Sequence, residues 1–458
     1  MADQRDELRV AVIGAGPAGL YAADALLGME DRQEISVDVV DRLPTPFGLV
    51  RYGVAPDHVS IRSVRDTLDR ILDHPRIRFF GGVHVDDGTQ GVSLDEFRNA
   101  YDAVFLTYGA SADRPLSIPG EELPGSISAT EFVRWYTGHP DSPPEEFTDV
   151  LERTRSVAVI GVGNVAVDVA RILAKNHAEL QHTDMPDHVL AALVGSSVEM
   201  IHLIGRRGPA EAAWTTKELR ELAELADASV RVDPVDVQHG PSSQAVISSN
   251  KVAARNTAVI EDWAHQEERD SARIIRLRFF SRPVRIEGDD TGVRALVVER
   301  TALTESGGVE GTGQFVTIPV DLVIRSVGYR GLELPGVPFD AARAVIPNDA
   351  GRVLGPHGPI PGLYTAGWIK RGPSGIIGTN KKDAVETVKA FLDDLDHGRV
   401  PGRRDDEDLF ARLPDPVVDT QGWRRIDSAE RRLGALADKD RTTIHDWDTA
   451  MELGARSG

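Results

Sequence analysis

Residues 8–27 read "LRVAVIGAGPAGLYAADALL", and residues 156–173 read "SVAVIGVGNVAVDVARIL". Each stretch is an apolar, β-branched run of strand length, then a glycine-rich turn, then a helical pattern of apolar residues. A strand–turn–helix of this kind opens a dinucleotide-binding fold. Because the unit occurs twice, the sequence predicts an α/β protein with two Rossmann-like dinucleotide-binding domains.

The first glycine turn has the spacing that a pyrophosphate site needs. Gly14 permits the tight turn after the strand, Gly16 lets backbone amides approach the phosphates, and Gly19 allows the helix to pack closely on the strand. The helix N-terminus adds free N–H groups and a positive dipole end. Asp41 ends the next predicted strand, where a carboxylate can accept hydrogen bonds from ribose hydroxyls.

The second turn carries Gly161, Gly163 and Ala166, and alanine at the third position still permits close packing. The strand that follows ends in "LIGRRGP" (203–209), with Arg206 and Arg207 in place of an acid. A carboxylate there would repel a 2′-phosphate, whereas guanidinium groups pair with it through charged, often bidentate hydrogen bonds. The two turns therefore predict FAD in the first domain and NADPH in the second.

Composition excludes several classes of function. The chain of 458 residues has no cysteine, so it has no disulfide, thiolate metal site, cysteine-ligated cluster or redox thiol pair. The net charge of −20 argues against nucleic acid as a partner. No apolar run of membrane-spanning length occurs, and the polar start of the chain does not resemble a secretory signal, so a cytoplasmic protein is expected.

Further elements follow each unit. Strands are predicted at 34–41, 77–85, 101–110, 198–205, 273–288, 293–300 and 321–330, and helices at 60–73, 215–227 and 381–396. Residues 236–258 are Ser-rich and polar and are predicted to form a loop or an insertion, while the Pro- and Asp-rich 398–420 should wrap the surface.

Six blocks occur in an order typical of one known family. They are "AVIGAGPAGLYAADALL", "DRLPTPFGLVRYGVAPDH", "GVGNVAVDVARIL", "GRRGPAEAAWTTKELREL", "VIRSVGYRG" and "GWIKRGPSGIIGTNKKDA". Together they resemble ferredoxin–NADP reductases of the adrenodoxin reductase type, from about residue 8 to about residue 395. The resemblance implies a discontinuous FAD domain (1–112 and 335–458) with an NADP domain (113–334) inserted into it.

Site residues follow from the matching motifs. For FAD the resemblance implies Gly14, Gly16, Ala18, Gly19, Asp41, Leu49, Val85, Trp368, Gly375, Ile376 and Ile377. For NADP it implies Arg114, Gly163, Asn164, Val165, Ala166, Arg206, Arg207, Glu218 and Gly375. No metal site is expected. A helix starting near 375–380 would direct its positive dipole end toward the flavin.

Two residues are candidates for catalysis by the same resemblance, which places His58 and Glu221 near the nicotinamide. His58 could manage a proton at the flavin, or it could only hold its loop through hydrogen bonds. Glu221 lies in the charged helix pattern "TKELRELAEL", where a solvated glutamate is equally normal.

The resemblance implies electron transfer from NADPH through FAD to a ferredoxin-type iron–sulfur protein. An NADPH diaphorase that reduces quinones or dyes is the alternative, and a flavin-free NADP-binding protein is a third. A disulfide reductase or a glutamate synthase small subunit would need cysteines that the chain lacks. An acidic ferredoxin needs a local basic patch, for which the candidates are Arg206, Arg207, Lys217 and Arg220, or Lys370, Arg371, Lys381 and Lys382.

Overall fold

The computed structural model describes residues 7–28, 34–267, 269–413 and 416–455. The chain divides into two units, which are treated separately below. Unit 1 comprises Met1–Ala112, His139–Asp141 and Tyr329–Gly458, and unit 2 comprises Asp113–Gly138 and Ser142–Gly328.

The strands, in chain order, are β1 Glu7–Ile13, β2 Glu34–Val40, β3 Ile77–Gly81, β4 Val85–Asp86, β5 Val92–Ser93, β6 Ala103–Leu106, β7 Ala112–Asp113, β8 Ser126–Ser128, β9 Ser156–Ile160, β10 Met200–Ile204, β11 Ala228–Val232, β12 Arg273–Arg278, β13 Ser281–Asp289, β14 Gly292–Leu303, β15 Val309–Pro319, β16 Leu322–Arg325, β17 Tyr329–Arg330, β18 Asn348–Asp349, β19 Arg352–Gly355, β20 Gly358–Thr365 and β21 Val418–Asp419.

The α-helices are α1 Pro17–Leu27, α2 Leu49–Tyr52, α3 Val59–Arg62, α4 Val64–Leu72, α5 Leu94–Ala100, α6 Ala129–Thr137, α7 Thr148–Arg153, α8 Asn164–Ala174, α9 His177–Leu180, α10 Asp187–Val194, α11 Thr216–Glu221, α12 Pro241–Ser249, α13 Lys251–His265, α14 Trp368–Arg371, α15 Ile377–Asp396, α16 Thr420–Leu436 and α17 Trp447–Gly454. Short 3₁₀ turns lie at Pro209–Glu211, Pro234–Val237 and Leu409–Ala411. None of these helices, within the described ranges, is both long and apolar enough to cross a bilayer.

Unit 1 is built on an eight-stranded sheet in the order β18-β19-β20-β6-β1-β2-β3-β21. The central strands run parallel, with Val10 of β1 opposite Val37 of β2 and Ala103 of β6. Successive residues of β1 enter different cores: Val10 and Val12 face one cluster, Ala11 and Ile13 the other. Apolar layers thus cover both faces, as a parallel sheet requires, and the strands read as continuous apolar runs.

Unit 2 contains a six-stranded sheet in the order β11-β12-β10-β9-β16-β8 and a three-stranded antiparallel sheet β13-β14-β15. The sheets share an apolar cluster in which Ala158 and Ile160 of β9 meet Leu296 and Val298 of β14. Both units thus carry a parallel sheet with a strand–turn–helix at its centre, and the predicted α/β class with two Rossmann-like domains is confirmed.

The unit boundaries differ in detail from the sequence expectation. The second boundary lies at 328/329, whereas 334/335 was expected. Tyr329 belongs to unit 1 because its ring packs 5.5 Å from that of Trp368. Residues 139–141 also join unit 1, since the His139 ring lies 4.8 Å from that of Tyr52.

The loop predicted at 236–258 is wrong, because the structure has α12 and α13 there. Two local signals explain these helices: Pro241 occupies the first turn of α12, and the Asn250 side chain caps α13 by accepting from the amides of Val252 and Ala253. Helix α13 buries Ile260 and Trp263. The helix expected at 215–227 is shorter, since α11 ends at Glu221.

Candidate functional site

The first glycine turn connects β1 to α1 at the centre of the unit 1 sheet. A Cβ on Gly14, whose φ is +113°, would lie 2.6 Å from the backbone carbon of Thr107, and one on Gly19 would lie 2.0 Å from the Gly14 oxygen. A Cβ on Gly16, in contrast, would have no atom within 4 Å. Gly14 and Gly19 are therefore required by the packing, whereas Gly16 borders open space.

The N-terminus of α1 has no side-chain cap, because Gly16 occupies the cap position. Helix α8 in unit 2 is built in the same way on Gly163, and a Cβ there would also have no atom within 4 Å. Helix α12 also starts at an uncapped glycine, Gly240, whereas Ser93 and Ser128 cap α5 and α6 with their hydroxyls. What distinguishes α1 and α8 is that each follows a central parallel strand, β1 or β9. An uncapped helix end at that place is a ready-made anion site.

Asp41 has both carboxylate oxygens in backbone hydrogen bonds. It accepts from the amide of Ala15 at 2.7 Å and from that of Leu43 at 2.9 Å. Burial raises the pKa of this carboxyl, and the hydrogen bonds from Leu43 and Ala15 oppose the shift. Asp41 thus ties the glycine turn to the end of β2, a role that the sequence analysis did not assign to it.

The segment after Asp41 returns to the glycine turn. Phe47 is buried with φ +83° and donates its amide to the Ala15 carbonyl at 2.8 Å. Gly48 follows, and a Cβ there would lie 3.2 Å from the Gly16 Cα. Half-buried Leu49 therefore starts α2 directly beside the turn. Val85 lies further along, on the short strand β4, and is also half-buried.

The third part of the unit 1 site is the segment from Gly367 to α15. Gly367 has φ +81°, and a Cβ there would lie 2.6 Å from the Ala18 side chain, so this segment passes directly over α1. The indole Nε1 of Trp368 is buried and has no hydrogen-bond partner. Gly375 and Ile376 are exposed, the Ile376 side chain by 70%. Ile377 begins α15 and packs against the core.

The second glycine turn has its own supports in unit 2. Gly161 has φ +140°, and a Cβ there would lie 2.2 Å from the Ser326 oxygen. Asn164 begins α8 and accepts from the Thr215 amide at 2.9 Å, while Ala166 is fully buried. Half-buried Val165 lies between them. The close packing that an alanine at this third position allows is therefore present.

Arg206 and Arg207 follow β10 after one residue, Gly205. The Arg206 side chain is exposed, and Arg207 is half-buried with its Nε out of solvent and lacking a hydrogen-bond partner. Within the described ranges, neither guanidinium pairs with a carboxylate. Arg114 is likewise exposed, and its amide donates to the Gly328 carbonyl at 3.0 Å.

Glu218 and Glu221 lie on α11, but neither is a freely solvated surface group. Both have a carboxylate oxygen 3.4 Å from Nη1 of Arg171, which is 1% exposed on α8. Asp168 binds the same guanidinium at 2.8 Å. The solvated alternative for Glu221 is therefore wrong, since this side chain is only 21% exposed and lies against a buried cation.

His58 is buried in unit 1 at the N-terminal cap position of α3. Its backbone amide donates to the Ala55 carbonyl at 3.0 Å, and its carbonyl accepts from the Arg62 amide at 3.0 Å. These main-chain bonds hold the loop that carries the imidazole.

One candidate basic patch is largely internal. Lys370 is buried, and its ammonium group lies 3.0 Å from Asp383 and 2.8 Å from Glu386. Arg371 donates to Asn380 at 2.7 Å and is mostly covered. Lys381 and Lys382 are the exposed members. Lys370 is thus wrong as a docking residue, because its charge is already balanced inside unit 1.

Two residues that shape these turns were not predicted from the sequence. Thr107 directly follows β6 and donates its hydroxyl to the carbonyls of Ile13 and Gly14, at 3.0 and 2.9 Å. Arg171 holds the α11 carboxylates as described above. A lone basic residue in the apolar pattern "NVAVDVARIL" was the available signal for Arg171.

The sheets, the two uncapped turns and the unpaired arginines define a dinucleotide-binding oxidoreductase. A family model described as pyridine nucleotide-disulphide oxidoreductase matches residues 8–374, and the chain belongs to this family. The family name includes a disulphide, but this chain has no cysteine.

Two relatives, and a solved structure of the first, resemble the chain over nearly its full length. NADPH-ferredoxin reductase FprA of Mycobacterium tuberculosis (strain ATCC 25618 / H37Rv) is 40% identical over 97% of this chain and 98% of its own. The mitochondrial NADPH:adrenodoxin oxidoreductase of Arabidopsis thaliana is 37% identical over 98% of this chain and 95% of its own. The structure of Mycobacterium tuberculosis FprA in complex with NADPH superimposes with a TM-score of 0.89 at 38% identity, over 98% of this chain and 99% of that one. The resemblance to adrenodoxin reductase-type enzymes is confirmed.

Proposed function

We propose that this chain is a flavoprotein that transfers electrons from NADPH through FAD to a ferredoxin-type iron–sulfur protein, as a ferredoxin–NADP(+) reductase. The observation that carries the proposal is the pair of uncapped helix N-termini with different neighbours: a carboxylate after β2 and two unpaired guanidinium groups after β10. The names of the relatives, an NADPH-ferredoxin reductase and an NADPH:adrenodoxin oxidoreductase, support the choice of donor and acceptor.

Unit 1 is the proposed FAD domain. The pyrophosphate would bind the amides at Gly16 and the start of α1, where no side chain competes. Residues for the rest of the cofactor are Leu49 and Val85 and the segment from Trp368 to Ile377. The unpartnered indole Nε1 of Trp368 fits a polar ligand, because a buried donor without an acceptor is costly. The exposed Ile376 side chain fits an apolar ring face.

Unit 2 is the proposed NADP domain. The pyrophosphate would bind at Gly163–Ala166, and Arg206 with Arg207 would bind the 2′-phosphate. Arg114 is proposed as a further anchor. Glu218 is proposed to act at the site through its place on α11 beside the turn, with its charge balanced by Arg171.

Bound FAD would accept electrons from NADPH as a pair and release them singly. The chain's residues provide binding, orientation and proton handling. His58 is proposed to handle the proton at the flavin, from a loop that main-chain hydrogen bonds hold in place. Glu221, whose carboxylate lies 3.4 Å from Nη1 of Arg171, is proposed as the second catalytic residue. A loop histidine without a proton role remains the alternative for His58.

The proposal includes an acidic iron–sulfur partner that docks on basic residues, despite the net charge of −20. Lys381 and Lys382 at the start of α15 are candidates in unit 1, and Lys217 with Arg220 on α11 in unit 2. We also place the protein in the cytoplasm, where NADPH is supplied. Cell fractionation with an antibody against this chain tests that placement.

The deciding experiment measures NADPH-dependent reduction of cytochrome c with and without candidate ferredoxins. We expect yellow protein that releases FAD, rather than FMN, on denaturation, and turnover that rises when a ferredoxin is added. Turnover with quinones or dyes alone, unaffected by any ferredoxin, would favour the diaphorase. Colourless protein that FAD cannot reconstitute would refute the flavoprotein assignment.

A further inference from the structure

The C-terminal residues 420–455, here called the clamp, contain α16 and α17 and lie in unit 1. They contact residues 46–52, "PFGLVRY", here called the strap, which contains Leu49 and α2. The family motifs of the sequence analysis end near residue 395, so nothing in them assigns the clamp a role.

The strap has a backbone conformation that needs outside support. Phe47 has φ +83°, a left-handed conformation that is unfavourable for a side chain of this size. The same residue forms the 2.8 Å hydrogen bond to Ala15, and Gly48 approaches Gly16 closely. Movement at Phe47 would therefore be transmitted directly to the first glycine turn.

The clamp packs an aromatic ring against this residue. Trp423 of α16 is fully buried, and its ring meets that of Phe47 edge-to-face, with centroids 5.5 Å apart. Its indole Nε1 donates to Asp69 on α4 at 3.1 Å, which fixes the orientation of the ring. Trp423 thereby closes the space into which Phe47 would move.

The clamp also supplies the counter-charge for the strap. Arg51 of α2 is 1% exposed and forms two hydrogen bonds with the carboxylate of Glu430, which is fully buried on α16. Arg441 binds the same carboxylate at 3.1 Å, and the amide of Ile444 donates to it at 2.9 Å. A guanidinium can be buried only with such a partner, so the clamp determines whether Arg51 can stay inside.

The effect reaches the loop of His58. The Arg51 carbonyl accepts from Arg62 Nη2 at 3.2 Å, and the Val54 carbonyl accepts from Arg62 Nη1 at 3.1 Å. Arg62 is the last residue of α3, which begins directly after His58. A displaced Arg51 would therefore disturb both the strap and this helix.

From these contacts we infer that the clamp positions the FAD site: Glu430 and Trp423 hold the strap in its strained form against the glycine turn. Neither residue is among the proposed FAD contacts, so both are positioning residues. The inference rests on the proposed function for its ligand but not for its geometry.

The test compares Glu430→Gln with a matched control, Asp102→Asn. Both changes replace a buried carboxylate of unit 1 by its amide and break a buried ion pair. Asp102 binds Arg403 at 2.7 Å and the Arg9 amide at 2.8 Å, near the start of β1 and away from the glycine turn. The measurements are the rate of FAD release from the holoprotein, followed by flavin fluorescence, and amide hydrogen exchange of residues 44–58.

For Glu430→Gln we expect both rates to rise about tenfold or more, because two cations lose their shared anion. For Asp102→Asn we expect both within about twofold of wild type, although unfolding should occur at a lower temperature. Unchanged rates in Glu430→Gln, or equal increases in the control, would overturn the inference. If the wild-type protein binds no FAD, the proposed function is refuted instead. Hydrogen exchange of residues 44–58 would then still decide whether the clamp holds the strap.

A second pair keeps the test decisive if Glu430→Gln does not fold. Trp423→Phe keeps an aromatic ring next to Phe47 and Arg51 but loses the bond to Asp69, whereas Trp423→Ala loses both the ring and the bond. We expect fast FAD release and fast exchange in Trp423→Ala and near wild-type values in Trp423→Phe. Equal behaviour of the two variants would mean that the ring does not support the strap.

Discussion

Replacing Arg207 by alanine is expected to reduce the use of NADPH strongly and that of NADH hardly at all. A hydrogen bond to a charged partner contributes about 1.5–3 kcal/mol, which corresponds to a loss of roughly 10- to 150-fold in kcat/KM. The loss for Arg207→Ala should fall near the upper end of this range, because the Arg207 Nε is buried without a partner and its charge is poorly screened by water. Arg206 is exposed, so Arg206→Ala should fall near the lower end.

The assay is steady-state reduction of an excess of dye with NADPH or NADH as the varied substrate. Arg285→Ala is the control, since Arg285 is exposed on β13 and pairs with Glu287 at 2.7 Å. We expect that variant to match wild type with both nucleotides. Equal losses for NADPH and NADH in Arg207→Ala would refute the reasoning, because NADH has no 2′-phosphate to lose. The arginine would then support the fold and not the choice of nucleotide.

Three further predictions follow from other parts of the chain. Gly16→Ala should weaken FAD binding without lowering the unfolding temperature of the apoprotein, because the added Cβ would meet no protein atom. Gly19→Ala should instead destabilise unit 1 itself, because its Cβ would clash with the Gly14 oxygen. Thermal unfolding and flavin titration separate the two effects. Burial, aided by nearby Arg278 and Arg276, lowers the pKa of His202 to about 3 from 6.5. The unfolded state therefore binds the extra proton, and the free energy of unfolding should fall as pH drops below 6.5, by at most about 1.4 kcal/mol per pH unit. In His202→Gln, the free energy of unfolding by urea should depend less on pH between pH 7 and 5. An unchanged pH dependence would contradict this. Charge reversal at exposed Lys381 and Lys382 should lower ferredoxin-coupled turnover at low salt and leave quinone turnover intact. The difference between variant and wild type in ferredoxin-coupled turnover should shrink as the Debye length falls from roughly 10 Å at 0.1 M to roughly 3 Å at 1 M. A loss that persists at 1 M salt would point to another cause.

Local patterns predicted the geometry of the two glycine turns well. The position of Gly14 and Gly19 follows from steric needs within a strand–turn–helix, and the structure shows the close contacts that demand them. The central strands could be predicted because both faces of the sheet are buried, which makes the strand sequences continuously apolar. Arg206 and Arg207 were found because their place at a strand end is itself a local property.

The roles of single polar residues were less predictable. Asp41 was expected to accept hydrogen bonds from ribose hydroxyls, and no sequence pattern showed that its two oxygens also accept from the amides of Ala15 and Leu43. Lys370 was expected on a docking surface, but it is buried against Asp383 and Glu386. A carboxylate or an ammonium group has the same sequence signature whether it faces solvent, a ligand or another side chain. Its role depends on which groups the fold brings near.

The α/β class, the two glycine turns and the arginine pair could be predicted from local sequence, because periodicity, glycine sterics and strand ends are encoded within a few residues of one another. The contact between the C-terminal helices and the strap is visible only in the folded chain. Arg51 and Glu430 are 379 positions apart, and no local pattern marks either one as the partner of the other. Their pairing exists because the folded sheet buries both charges at one place, where each is stable only in the presence of the other.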